Sequence, residues 1–232
     1  MIVYCNCAYS EVIPADTRSA VHAGIASRGA GMAAVADLCE LAARRDARLA
    51  RWARMPDLTI VACHPRAVRA LFEWSGAPLR TRGVSFLDMR ALNATEVLKR
   101  LPPPARGRAA AKNRDVSARG PWTPWFPVLD RTRCVNCKQC ASFCAFGVYT
   151  VQDGTVTVTN PANCKNNCPA CARMCPHLAI IFPKCAEEPI GGAAVTPAHI
   201  RQRRAMAKKP VQGADMHALL AARTGHAGPH RT

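Results

Sequence analysis

The stretch CVNCKQCASFC, Cys134–Cys144, decides how this chain is read, because it sets four cysteines at C-x2-C-x2-C-x3-C spacing. Thirty residues after its start the pattern nearly repeats as CKNNCPACARMC, Cys164–Cys175, with three residues in place of the first two. The two runs use eight of the thirteen cysteines in a 232-residue chain. MIVYCNCAYSEVIP has neither the basic start nor the apolar length of a signal peptide, and no stretch reaches the roughly 20 apolar residues of a membrane span. A cytoplasmic, reducing location is the expectation, and clustered thiols there are metal ligands or catalytic groups before they are disulfides.

Thiolate is a soft donor suited to iron, and four of them complete an iron–sulfur cubane. Spacings of two and two place three sulfurs on one tight loop. The next cysteine, three residues on, is expected to point away where a short helix begins. Between the runs, VYTVQDGTVTV reads as two alternating strands about Asp153-Gly154, a strong hairpin signal. Residues 128–185 thus resemble the bacterial-type dicluster ferredoxin module, two pseudo-symmetric halves of loop, helix and strand in an α+β fold. The resemblance implies two [4Fe–4S] clusters, one held by Cys134, Cys137, Cys140 and Cys175, the other by Cys164, Cys168, Cys171 and Cys144. Ala145 stands where that family usually has proline, and the longer first spacing loosens one loop. Zinc in two four-thiolate sites is the competing reading, although zinc knuckles rarely interleave two such runs.

Residues 1–100 read as β-α-β-α-β-α-β, an α/β domain with a small parallel sheet. MIVYC, MAAVAD, DLTIVAC and GVSFLDM are the strands; PADTRSAVHAGIASRGA, CELAARRDARLARWARM and PRAVRALFEWSG are the helices. Cys5, Cys7, Cys39 and Cys63 fall at or just beyond strand ends, which in an open parallel sheet form one ligand-binding edge. YCNC, DLCEL and VACHPRAVRALF, over about residues 1–90, resemble the N-terminal domain of the heterodisulfide-reductase-A family. That resemblance implies that Cys5, Cys7, Cys39 and Cys63 hold a third [4Fe–4S] cluster. A zinc site, a redox-active dithiol at Cys5 and Cys7 with Cys63 as partner, and buried structural cysteines remain alternatives. His64 reads as a hydrogen-bonding neighbour, His177 as a neighbour of a cluster, and Cys185 as a free or buried thiol.

Residues 101–127, rich in Pro, Gly and Arg, read as a linker whose Trp122, Trp125 and Phe126 pack onto a neighbouring domain. Residues 186–232 read as a disordered basic tail. The net charge of +17 is spread along the chain, as a biased genome composition in which arginine dominates would produce; docking to an acidic surface is the next reading, ahead of nucleic acid. No nucleophile–base pair, carboxylate pair, phosphate loop or G-x-G-x-x-G flavin segment stands out, so no catalytic residue is assigned. The function that follows is single-electron transfer to a redox partner, a flavin-bearing or heterodisulfide-reductase-like subunit with an acidic docking surface. Thiol–disulfide chemistry at the N-terminal cysteines, or a cluster-based sensor binding nucleic acid, are the rival readings.

Overall fold

The computed structural model describes residues 1–28, 32–103 and 122–207. Residues 1–196 form one compact unit and residues 197–232 a second. The first opens with a four-stranded parallel sheet in the order β2-β1-β3-β4, formed by β1 (Ile2–Cys5), β2 (Met32–Val35), β3 (Leu58–Ala62) and β4 (Val84–Asp88). Every residue of β1 and β3 is buried, as central strands covered on both faces require. The alternation expected from sequence is present, with helices α1 (Ala15–Ser27) and α4 (Pro65–Trp74) between strands. Helix α4 starts at a proline, whose missing N–H costs nothing in the first turn. It stops at Ser75 and Gly76, where glycine takes a φ of 81°.

One expected helix divides. CELAARRDARLARWARM forms α2 (Leu38–Ala43) and α3 (Ala47–Ala53), because Arg45 turns to a φ of 49° and Asp46 restarts the chain as an N-cap. The Asp46 carboxylate accepts from Arg48 N at 2.9 Å, a bond that the helix interior would not allow. A further helix, α5 (Ala94–Lys99), was not expected; Asn93 and Glu96 form its capping box.

The cysteine-rich half contains β5 (Val128–Leu129), α6 (Gln139–Phe143), β6 (Tyr149–Gln152), β7 (Thr155–Val158), α7 (Ala170–Met174) and β8 (Ile180–Ile181). β5 pairs antiparallel with β8, and β6 with β7. The β6–β7 hairpin turns at Asp153 and Gly154, both at positive φ (50° and 76°), as a two-residue turn of this kind demands. Expectation and structure differ at the short helices: α6 and α7 precede Cys144 and Cys175, which end them, instead of beginning after them.

The two halves share a core. Phe126, Val128 and Ile181 are buried in the cluster formed by the sheet and its helices. Trp125 stacks on Phe182 at 5.4 Å, while Phe126 lies between Trp74 and Trp122 at 4.9 and 6.0 Å. The aromatic end of the expected linker therefore packs as anticipated; its remainder, residues 104–121, lies outside the described residues. Polar contacts reinforce the junction. Arg66 Nε donates to Asp130 at 2.6 Å, and the same guanidinium reaches the carbonyls of Pro189 and Leu178. Trp74 Nε1 donates to Val158 O at 2.9 Å.

The expected tail begins too early. Residues 186–196 belong to the first unit, with Ile190 buried and Glu188 in the ion-pair network described below. They fold because Arg90 and His64 neutralise the Glu188 carboxylate. Residues 197–207 form helix α8 (Pro197–Ala207), and residues 208–232 lie outside the described residues. Among the described residues no helix is long and apolar enough to cross a membrane.

Because β5, β8 and the aromatic segment cover the sheet's core, a fragment of residues 1–100 is expected to fold poorly. Limited proteolysis of that fragment should degrade it within the time that leaves residues 1–196 intact.

Candidate functional site

Three groups of thiols stand out. Cys134, Cys137, Cys140 and Cys175 line one cavity of about 330 Å³, counting the part open to solvent, together with Asn136, His177 and Ile180. Burial first, then the charges of Cys175, Cys134 and Cys137, pushes the Cys140 thiol up to about 11. The loop is shaped by Asn136 and Lys138 at φ 54° and 66°. Asn136 Oδ1 accepts from Val156 N at 3.1 Å, tying the loop to β7.

The second group follows the same plan. Burial and then Cys171, Cys168 and Cys144 push the Cys164 thiol up to about 12. Asn167, immediately before Cys168, takes a φ of 59°, the counterpart of Asn136 before Cys137. Asparagine tolerates that conformation better than most residues, and its recurrence was a signal present in the sequence. Burial also lifts the Cys171 thiol to about 12, with Cys144 and Cys140 adding to it. Tyr149 Oη donates to Cys171 Sγ at 3.0 Å and opposes that rise. The fourth cysteine of each run lies with the other run's three, so the groups interleave.

The third group lies at the carboxyl edge of the parallel sheet. β1 aligns Cys5 with Val35 of β2, and Tyr4 with Val61 of β3, so the ends of all three strands meet. Cys5, Cys7, Cys39 and Cys63 are all buried. Cys5 Sγ lies 3.5 Å from Cys7 Sγ, and Cys63 is near enough to raise the Cys7 thiol. Leu38 N donates to Cys5 Sγ at 3.3 Å, which ties the start of α2 to the end of β1. Contact with Cys7, then burial, raises the Cys5 thiol well above the ordinary range. Cys5 acts to lower the Cys7 thiol, but contact with Cys63 and burial outweigh it. Cys39 is pushed up to about 12 by burial.

Two charged residues at this edge were not foreseen. Asp37 caps α2, accepting from Glu40 N at 3.0 Å, and binds Lys184 Nζ at 2.9 and 2.8 Å through its two oxygens. Lys184 comes 147 residues later, just after β8, and its charge lies close enough to Cys39 to oppose the rise of that thiol. Burial works against its charge, but Asp37 and the thiols outweigh it and hold the ammonium protonated. The pattern Asp-x-x-Glu at Asp37 and Glu40 could have announced the cap; no local signal announces Lys184.

His64 does not face the thiols as a ligand would. Its Nδ1 lies 2.7 Å from Asp88 and its Nε2 2.8 Å from Glu188, which also pairs with Arg90 at 2.5 Å. Burial opposes its charge, yet the two carboxylates lift it to about 9. It is a clamp between β3, β4 and the segment after β8. His177 lines the first cavity, and its carbonyl accepts from Arg133 Nε at 2.9 Å. Cys185 is buried outside the three groups.

Among the described residues no three or more His, Cys, Asp or Glu side chains are set around a single metal ion. What the geometry offers is thiols in fours, with Cys5, Cys7, Cys39, Cys140, Cys164 and Cys171 resisting ionisation until a cation compensates the charge.

No protein-family model matches the chain. Over 73 residues it is 45% identical to an uncharacterized ferredoxin of Methanocaldococcus jannaschii; the match covers 31% of this chain and 45% of that protein. The chain therefore spans less than half the length of this relative, and the likeness supports a ferredoxin-like module within it.

Thiol reactivity checks the geometry. At a given pH, Cys39 at about 12 should carry roughly a thousandfold less thiolate than a cysteine at the ordinary 9. In the metal-free, reduced and still folded chain, exposed Cys137 should alkylate first and Cys5, Cys7, Cys39 and Cys63 last, as read by peptide mass spectrometry.

Proposed function

We propose that this chain is an iron–sulfur electron-transfer subunit carrying three [4Fe–4S] clusters. Cys134, Cys137, Cys140 and Cys175 hold the first, Cys144, Cys164, Cys168 and Cys171 the second, and Cys5, Cys7, Cys39 and Cys63 the third. What supports this reading is that Cys175 lines one cavity with Cys134, Cys137 and Cys140, that Cys144 lies near Cys164 and Cys171, and that Cys5, Cys7, Cys39 and Cys63 are all buried. The ferredoxin likeness supports it for the cysteine-rich half. Bound in such sites, a [4Fe–4S] cluster accepts and releases single electrons.

The protein's own residues supply the surroundings. Tyr149 offers Cys171 a hydrogen bond, and the backbone N–H groups of Leu38 and Ala179 do the same for Cys5 and Cys175. Hydrogen bonds to ligand sulfur raise a cluster's potential. Burial of the third group keeps water away from it. The same burial argues against thiol–disulfide chemistry there, because raised thiols are poor nucleophiles.

Around the first two groups the surface is prepared for contact. Val135, Phe143, Phe146 and Met174 are exposed beside the ligand cysteines, and Lys138 and Lys165 stand among them. An acidic redox partner, such as a flavin-bearing or heterodisulfide-reductase-like subunit, fits this mixture of apolar and basic side chains. Electron transfer to such a partner should slow as ionic strength rises, and a stopped-flow rate indifferent to salt would count against the acidic surface.

Iron content separates the readings. The anaerobically prepared chain should hold about 12 iron atoms, four per cluster, and Cys39→Ser should lower the count to about 8. Cys137→Ala and Cys171→Ala should each remove a different paramagnetic signal. A wild-type chain with about 8 iron atoms would confine the clusters to the ferredoxin-like half.

A further inference from the structure

The third thiol group contains a buried cation that nothing in its own half of the chain supplies. Lys184 and Asp37 have side chains only 6% and 1% exposed. Desolvating two charges this completely costs several kcal/mol per ion, and apolar residues of similar size often serve stability as well. The pair's location offers a reason for its presence. An ammonium has three N–H donors. Two go to the two Asp37 oxygens, at 2.9 and 2.8 Å, and the charge so placed acts on Cys39. Asp37 is itself fixed, because its Oδ1 caps α2, the helix that carries Cys39 in its first turn. The carboxylate thus fixes both the thiol's helix and the ammonium beside it. On the other side, the Tyr9 ring lies 5.9 Å from Nζ.

We propose that Lys184 is a positioning residue that sets the redox poise of the Cys5, Cys7, Cys39 and Cys63 site, acting through the buried charge that Asp37 holds beside Cys39. This rests on the reading of those four cysteines as ligands of a [4Fe–4S] cluster. The reduced site carries one more negative charge than the oxidised one, and Lys184 stabilises that extra charge. The electron comes from an external reductant, dithionite in the test below; no bond to sulfur forms or breaks, and the ammonium keeps its protons. Hydrogen bonding and net charge at ligand sulfur are the terms by which a protein moves such a potential. Because Lys184 follows β8, the cysteine-rich half thereby controls how readily the N-terminal site is reduced.

The test is a potentiometric titration of the full chain, followed by electron paramagnetic resonance, in wild type, Lys184→Gln and Lys184→Arg. Lys184→Gln removes the charge but keeps a donor that can reach Asp37. At a fixed potential it should lower the reduced-to-oxidised ratio of the N-terminal site about tenfold, about 59 mV for a one-electron couple. The two other signals should keep their potentials, and Lys184→Arg should stay near wild type. A Lys184→Gln protein with full iron and an unmoved N-terminal potential overturns the inference. Should Lys184→Gln lose iron from that site, Lys184→Arg decides. Retained iron with a near-wild-type potential supports the charge's role, whereas loss in both variants assigns Lys184 to packing. A wild-type chain with about 8 iron atoms and no third signal is a separate result that overturns the cluster reading itself.

Discussion

The parallel alignment of β1, β2 and β3 is the constraint on which the N-terminal site depends. Cysteines spread from Cys5 to Cys63 meet only because three strands run the same way and end at one edge. A parallel sheet has to be covered on both faces, and the cover over this core includes Phe126, Val128 and Ile181 from the other half of the chain. The geometry that gathers the thiols therefore also draws the cysteine-rich segment onto the sheet. Lys184, Glu188 and Asp130 then come within reach of Asp37, His64 and Arg66, and neutralise charges that the covered surface could not leave unpaired.

The three thiol groups share one chemistry under different degrees of exposure. In the first, Cys137 is exposed and its neighbours partly so, with apolar and basic side chains beside them. In the third, all four cysteines are buried beneath the shared core. Under the proposed function, an electron arriving from outside would meet the open groups first. The arrangement suits a chain whose ferredoxin-like half faces partners and whose N-terminal site sits behind it.

Much of this was legible in the sequence because the signals were local. Alternating apolar residues located the strands and Asp153-Gly154 located the hairpin, while the interleaving of the cysteine runs was an expectation carried by the dicluster-ferredoxin resemblance. The failures have physical reasons. Arg45 adopts a left-handed φ in a stretch whose apolar spacing continues across it, so periodicity alone joined α2 to α3. Residues 186–196 are polar and Pro/Gly-containing, and their order comes from ion pairs with partners about a hundred residues away. The Asp37–Lys184 pair spans 147 residues, and single-sequence patterns do not report such contacts. The four N-terminal cysteines were placed together only by first assuming a sheet.

The cover over the N-terminal site has a bearing on biogenesis. Cys39 is buried, and the segment that carries Lys184 is anchored nearby by Asp37, while Glu188 fastens the same segment to His64 and Arg90. A donor scaffold handing over a preformed cofactor needs direct access to the receiving thiols, and the closed chain does not give it. On the proposed reading of a third cluster, maturation of that site would belong to a stage before the segment after β8 has docked, whereas the exposed loops of the other half would remain open to loading in the finished fold.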